Sequence, residues 1–188
     1  MLRPEFPIKT RRLVLRPFLE SDLDAFADIQ GREDVARYLY SGPRTRDEAE
    51  VVLRERAAQT AIEKPGDSLQ LAVTLADSGT LIGDVVLVWR SAEHSSGEIG
   101  YAFHPDHHGH GYAGEAAIQM VRLGFEGLGL HRVYARLDAD NRPSGRLLER
   151  LGMRFEGRFR ENEFVKGRWA DEAVYAMLRD EWLDLTAE

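Results

Sequence analysis

Apolar and polar positions follow two different periods along this chain of 188 residues. Residues 12–18, RLVLRPF, alternate and end at a proline step, which predicts an edge strand, and residues 22–30 follow as a short helix. Residues 45–64 predict the first long helix. It opens with Thr45 and, three residues on, Glu48, the spacing of a capping box, and Lys64-Pro65-Gly66 stops it. Strands are expected at 69–75, 80–89 and 97–103, separated by ADSG and AEHSSG, in the manner of an antiparallel meander. The pattern then changes to a helix from about residue 111 to 128, a strand at 132–138, a helix at 144–151 and two final strands. A helical crossover pairs the strand ending at Phe103 in parallel with the strand ending at Asp138, right-handed by default. The expected class is therefore α+β (mixed α/β), a mostly antiparallel seven-stranded sheet with a central parallel pair, flanked by helices.

Composition narrows what such a sheet can serve. The length suits one domain, residues 1–188, and no repeat, low-complexity tract or Pro/Ser-rich linker divides it. With 43% apolar and 30% charged residues, a disordered chain is excluded. No run approaches the roughly 18 apolar residues of a membrane span. The start, MLRPEFPIKTRRL, lacks the apolar centre of a signal peptide, so a cytoplasmic protein with no membrane partner is expected. The absence of cysteine removes disulfides, thiolate nucleophiles and Cys-based zinc sites together. A net charge of −7 argues against nucleic acid as a partner, because domains that coat phosphates carry a basic face. It leaves a basic protein or peptide open.

Before the Ala-rich helix lies HPDHHGHGYAGEAA, residues 104–117. In that helix Ala113, Ala117, Met120, Val121 and Phe125 recur at three- and four-residue spacings, so one stripe faces the sheet. The loop thus sits at a strand's C-terminal end and a helix's N-terminus. Free backbone N–H groups and the positive end of the helix dipole favour an anion there, and glycine lets it come close. A pyrophosphate suits the position; a turn that needs glycine only for its φ angles is the plain alternative. Gly109, Gly111 and Gly114 also spell G-x-G-x-x-G, with Asp138 ending the next strand. A dinucleotide site would follow its strand at once and open a series of βαβ units, whereas here residues 104–108 intervene and a meander comes first. A nucleotide-triphosphate loop would need Lys and Ser/Thr, which are missing. His104, His107, His108 and His110 raise the question of a metal. They lack helical i, i+4 spacing and, Asp106 apart, carboxylates to orient the rings, so no metal is expected.

With its flanks, the segment resembles the Gcn5-related N-acetyltransferases (GNAT), most closely the branch of ribosomal-protein N-terminal acetyltransferases (RimJ/RimL-like). That family's pyrophosphate loop reads Arg/Gln-x-x-Gly-x-Gly/Ala, and here the segment is His108-Gly109-His110-Gly111-Tyr112-Ala113, with His108 departing from the usual Arg or Gln. LGLHRVYARLDADNRPSGRLLERLGM, residues 128–153, is similar to the family's strand, Asn-x-x-Ser and Leu-Gly-Phe/Met sequence, and the likeness runs from about Arg12 to Leu178. The resemblance implies the GNAT fold and acetyl-CoA as co-substrate, with Gly114 closing the loop. The pantetheine arm would lie between the strands at 97–103 and 132–138, which splay apart and leave backbone groups unpaired near Tyr101 to Phe103. Its amides would satisfy those groups, and one N–H would serve as oxyanion donor.

The resemblance also implies the chemistry. Asn141 would contact the cofactor arm and Ser144 would lie by the sulfur; helix capping is the alternative role for both. Glu163 matches the branch's carboxylate that takes the amine proton through water, with Glu98 in reserve, against solvated strand glutamates. Tyr112 and Arg146 are within reach of the cofactor or serve as packing and a solvated helix face. At neutral pH an α-amine of pKa about 7.7 to 8.0 is roughly a tenth neutral, and a lysine near 10.4 far less, so an α-amine asks only for a modest base. The expected reaction is direct acetyl transfer to a protein or peptide N-terminal α-amine. A small-molecule amine such as an antibiotic or polyamine, or a non-catalytic acyl-CoA-binding module, are the alternatives. The acceptor pocket would come from residues 38–46 and 155–168. Monomer and homodimer both remain open.

Overall fold

A computed structural model of the chain describes residues 1–187. Its strands are Ile8–Lys9 (β1), Leu13–Arg16 (β2), Ser68–Leu75 (β3), Leu81–Ser91 (β4), Ser96–Phe103 (β5), Arg132–Asp138 (β6), Arg154–Val165 (β7) and Arg168–Leu178 (β8). They form one eight-stranded sheet in the order β1-β2-β3-β4-β5-β6-β8-β7. Every neighbouring pair is antiparallel except β5–β6, the expected parallel pair. The helices are Leu23–Gly31 (α1), Glu33–Ala36 (α2), Arg46–Ala58 (α3), Tyr112–Arg122 (α4), Arg142–Arg150 (α5) and Arg179–Thr186 (α6).

Four local expectations are corrected. The RLVLRPF strand is not an edge, because β1 pairs outside β2 with Ile8 opposite Leu15; β1 is the strand beyond the expected seven. The long helix begins as its capping box dictates, with Thr45 accepting from the Glu48 N–H, but ends at Ala58. Residues 59–64 leave the helix because Ile62 is taken into an antiparallel bridge with Leu2 and fully buried. α5 starts two residues earlier than expected, its proline falling in the first turn where a missing N–H costs nothing. Neither α2 nor α6 is signalled by periodicity; α6 is held by Trp182, buried, stacked on Phe125 at 5.9 Å and donating its indole N–H to Glu126.

The register divides the sheet into two sides. Cross-strand partners point the same way, so Ile99, Tyr101, Phe103, Val133, Ala135 and Leu137 face α4 and α5. α4 lays Ala117, Met120 and Val121 on that side and continues through a π-helical turn that buries Phe125. Each such large side chain contributes roughly 1.5–3 kcal/mol. The other side carries Ala72 and Leu81 against Phe26 of α1 and Leu53 of α3. There Arg56 of α3 meets the buried Asp84 of β4 at 2.8 Å, and burial pushes the Asp84 carboxyl pKa up.

Candidate active site

β5 and β6 pair only at Ser96–Arg132, Gly97–Val133 and Glu98–Tyr134. Beyond that point β5 stays with β4 and β6 with β8, so the two central strands splay. The His104 N–H bonds back to Ile82 on the β4 side. Alternation along an antiparallel strand therefore turns the peptide groups of Tyr101 and Phe103 toward the gap. The Phe103 carbonyl is met by His108 Nε2 at 3.1 Å. The Phe103 ring itself is core. What remains at Tyr101 and Phe103 is a short row of backbone donors and acceptors suited to an amide-bearing chain.

The glycine loop closes one end of this gap. Gly109 and Gly111 have φ of +81° and +80°, which L side chains rarely adopt, and nothing lies within 4 Å of a Cβ placed on Gly109. The glycines serve backbone path and open access rather than close packing. Gly111 is the N-cap of α4, Tyr112 and Ala113 form its first turn, and Gly114 follows 4.0 Å from Leu151 after a notional Cβ is added. His108, Gly109, His110 and Gly111 are all exposed; the His108 N–H is donated to the Pro105 carbonyl at 2.9 Å, and the positive end of the helix dipole faces solvent where an anion can enter.

A residue the sequence did not single out fixes this loop. Arg12 donates from Nη1 to the His110 carbonyl at 2.9 Å and from Nε to Glu115 at 2.7 Å, and its guanidinium lies 4.7 Å over the Tyr112 ring. Tyr112 also stacks on His110 at 5.5 Å, which accounts for it as packing within the loop. The four histidines do not converge: His104 is drawn to Asp28 at 3.1 Å, and burial followed by the neighbouring His104 lowers the His107 pKa. Among the described residues no three His, Asp or Glu side chains are grouped to hold a metal ion.

Ser144 and Tyr101 meet across the α-helical side of the gap. Asn141 caps α5 by accepting from the Ser144 N–H at 3.3 Å, which is its plain capping role. The Ser144 hydroxyl does something else: it lies 2.7 Å from the Tyr101 hydroxyl. Burial pushes the Tyr101 phenol up to about 12, so it remains a proton carrier at neutral pH. Arg146, farther along α5, is exposed.

The carboxylates lie on the other side. Glu98 is held by Arg90 at 2.8 Å and by Arg136 at 3.3 Å, so it is part of an ion-pair network rather than a solvated strand glutamate. Glu163 has only Arg136, at 3.8 Å, and its side chain is 36% exposed, which leaves it free to meet water or an amine. Between them sits Glu172, a buried carboxylate missed in the sequence, bound by Arg136 at 3.3 Å and by the Tyr40 hydroxyl at 3.1 Å. Burial, then the charge of Glu172, pushes the Tyr40 phenol up to about 12. The one available signal was a charge inside each of two strand patterns, VYARLD and WADEAVYAM. Tyr40, Glu163 and Glu172 line a narrow cleft, which Arg37, Lys166 and Arg168 also line. Residues from both 38–46 and 155–168 line this cleft.

The two central strands thus have a hydroxyl pair and an anion-ready loop on one side of the sheet and, on the other, a cleft holding Glu163 and Glu172. The Acetyltransferase (GNAT) domain family matches residues 12–154 of the chain. An uncharacterized N-acetyltransferase of Bacillus subtilis, YnaD, is 34% identical over 175 residues, covering 93% of this chain and 98% of that protein. The [ribosomal protein uS5]-alanine N-acetyltransferase of Escherichia coli is 26% identical over 185 residues, 95% of this chain and 94% of that protein. The crystal structure of spermidine N-acetyltransferase from Vibrio cholerae in complex with CoA and spermine superposes with a TM-score of 0.77 at 25% identity, covering 93% of this chain and 99% of that one.

Proposed function

Because the chain belongs to the GNAT family of N-acetyltransferases, which take their acetyl group from acetyl-CoA, we propose that it acetylates a protein or peptide N-terminal α-amine by direct transfer. The observation that carries this reading is the splay beyond Glu98 and Tyr134, with Ser144 and Tyr101 on one side and the cleft on the other. Acetyl-CoA supplies an activated thioester when bound. The loop from His108 to Gly114 grips its pyrophosphate through main-chain N–H groups, and the peptide groups of Tyr101 and Phe103 pair with the arm and donate to the developing oxyanion. Ser144 donates a hydrogen bond to the departing sulfur, and the Tyr101 hydroxyl, 2.7 Å away, orients it by donating to the serine oxygen. A thiol of reference pKa near 8.5 needs such a donor more than a strong acid.

Glu163 is proposed as the base, through water, because it is the less tightly paired carboxylate in the cleft. Glu98 stays in reserve for that role, because Arg90 and Arg136 both hold its carboxylate. The net charge of −7 suits a basic acceptor, with Glu163 the half-exposed carboxylate of a cleft of mixed charge, and the uS5-alanine enzyme supports a placement in the ribosomal-protein branch. A polyamine is the second reading, favoured by the same carboxylates and by the spermidine enzyme. The proposal takes residues 1–188 as one cytoplasmic catalytic unit, monomeric or homodimeric.

A thermal-shift comparison of CoA, acetyl-CoA, longer acyl-CoAs and NAD, followed by an amine panel, tests it. CoA at about 100 times its dissociation constant should add roughly 2.7 kcal/mol of stability. Stabilisation by NAD and not by CoA, or no turnover of any peptide α-amine, would overturn the reading.

A further inference from the structure

The turn between β7 and β8 breaks a local rule. It is Lys166-Gly167, with φ of +50° and +77°, the left-handed pair of a type I′ hairpin in which asparagine or glycine sits more easily than lysine. In that strained place the Lys166 ammonium donates to three carbonyls, those of Ala36 at 2.6 Å, Arg37 at 3.0 Å and Leu39 at 2.8 Å. These carbonyls lie at and just beyond the end of α2, where a helix leaves acceptors without partners and favours a positive charge. A helix of four residues cannot hold itself by its own hydrogen bonds, so the ammonium supplies what α2 lacks.

The clamped segment is the roof of the cleft. Residues 37–40 line it opposite Glu163, Val165 and Glu172, and Tyr40 pins the same segment a second time through Glu172. Neither Lys166 nor Tyr40 touches the hydroxyl pair or the glycine loop, so this tether has no evident part in holding the acetyl donor.

We propose that Lys166 is a positioning residue for acceptor recognition: by clamping residues 36–39 it fixes the height of the roof above Glu163 and Glu172, and the cleft then takes an extended cationic amine with its ammonium inward. This rests on the reading of the cleft as the acceptor site. The lysine accepts an unfavourable backbone conformation because only a long cationic side chain on that turn reaches all three carbonyls.

The test is calorimetric titration of two amines, spermidine and a basic octapeptide with a free N-terminal alanine, into CoA-saturated protein. Lys166→Asn suits the type I′ turn better than lysine, so the hairpin keeps its fold while the clamp is lost. The expected result is that the better-bound amine weakens about tenfold in Lys166→Asn, as loss of charged hydrogen bonds to a binding loop implies. The CoA dissociation constant should stay within about twofold, and Lys166→Arg should recover most of the loss. An unchanged amine affinity in Lys166→Asn, an equal loss of CoA affinity, or no binding of either amine to the wild-type complex overturns the inference. Clamp-dependent amine binding without acetyl transfer would keep the clamp and instead sink the proposed transfer to these amines.

Discussion

At the scale of single residues, the hydroxyl pair and the glycines make the sharpest expectations. Ser144→Ala should lower kcat about tenfold or more while leaving the KM for acetyl-CoA nearly unchanged, since the serine acts on the departing sulfur and the loop does the binding. Tyr101→Phe should act in the same direction and more weakly, and the double variant should be no worse than Ser144→Ala, because the tyrosine works through the serine 2.7 Å away. Steady-state kinetics on the three variants checks both. Gly111→Ala forces a Cβ into φ +80°, which costs roughly 1–2 kcal/mol, and it should weaken CoA binding as well as lower the melting temperature. Asn141 and Ser144 were both readable as helix-start residues. The capping role survives for Asn141, whereas the serine hydroxyl turns away from the helix because a strand residue 43 positions earlier offers it a partner.

Elements show where local signals suffice. The Thr45–Glu48 box starts α3 as expected, and Thr45→Ala should cost about 1 kcal/mol, read by denaturant unfolding. The same helix stops at Ala58 because Ile62 is worth more bridged to Leu2 and buried than held in a helical turn, a contact between positions 60 apart that no window of sequence contains. α6 is the reverse case, a helix without strong periodicity that forms because Trp182 finds Phe125 and Glu126. Trp182→Ala should therefore cost roughly 3–5 kcal/mol, more than any cap, with the loss seen in the same unfolding experiment.

At the scale of the whole molecule, charge decides two pH dependences. Burial works against ionised Glu115, but hydrogen bonds from Thr10 and Arg12 outweigh it and hold its pKa below 4.5. A carboxylate lowered in the folded state stabilises above its unfolded value and loses that stability as pH falls through the folded one. Glu48 and Glu156 are lowered likewise, by bonds from Thr45 and from Arg132, while buried Asp84 is raised and works in the opposite sense. Melting temperatures should hold above about pH 5 and fall below about 4.5, and Glu115→Gln should reduce that fall while lowering stability at pH 7. Activity should follow the acceptor: kcat/KM for an α-amine should level off near pH 8, and for a primary alkyl amine should still rise above pH 9. A profile still climbing above pH 9 with the best acceptor would favour the polyamine reading. The sequence by itself determined the alternation of strands and helices, the parallel crossover and the glycine loop at a helix N-terminus, because these rest on spacing and on residues close together in the chain; the kind of chemistry came from the resemblance of its motifs to a family. Only the tertiary structure decided that Arg12 pins the loop, that Tyr101 turns Ser144, that Glu172 is buried between Arg136 and Tyr40, and that Lys166 reaches α2. Each of those is a pairing of distant positions made affordable by burial, and nothing along the chain records which two ends the fold will bring within 3 Å or so of each other.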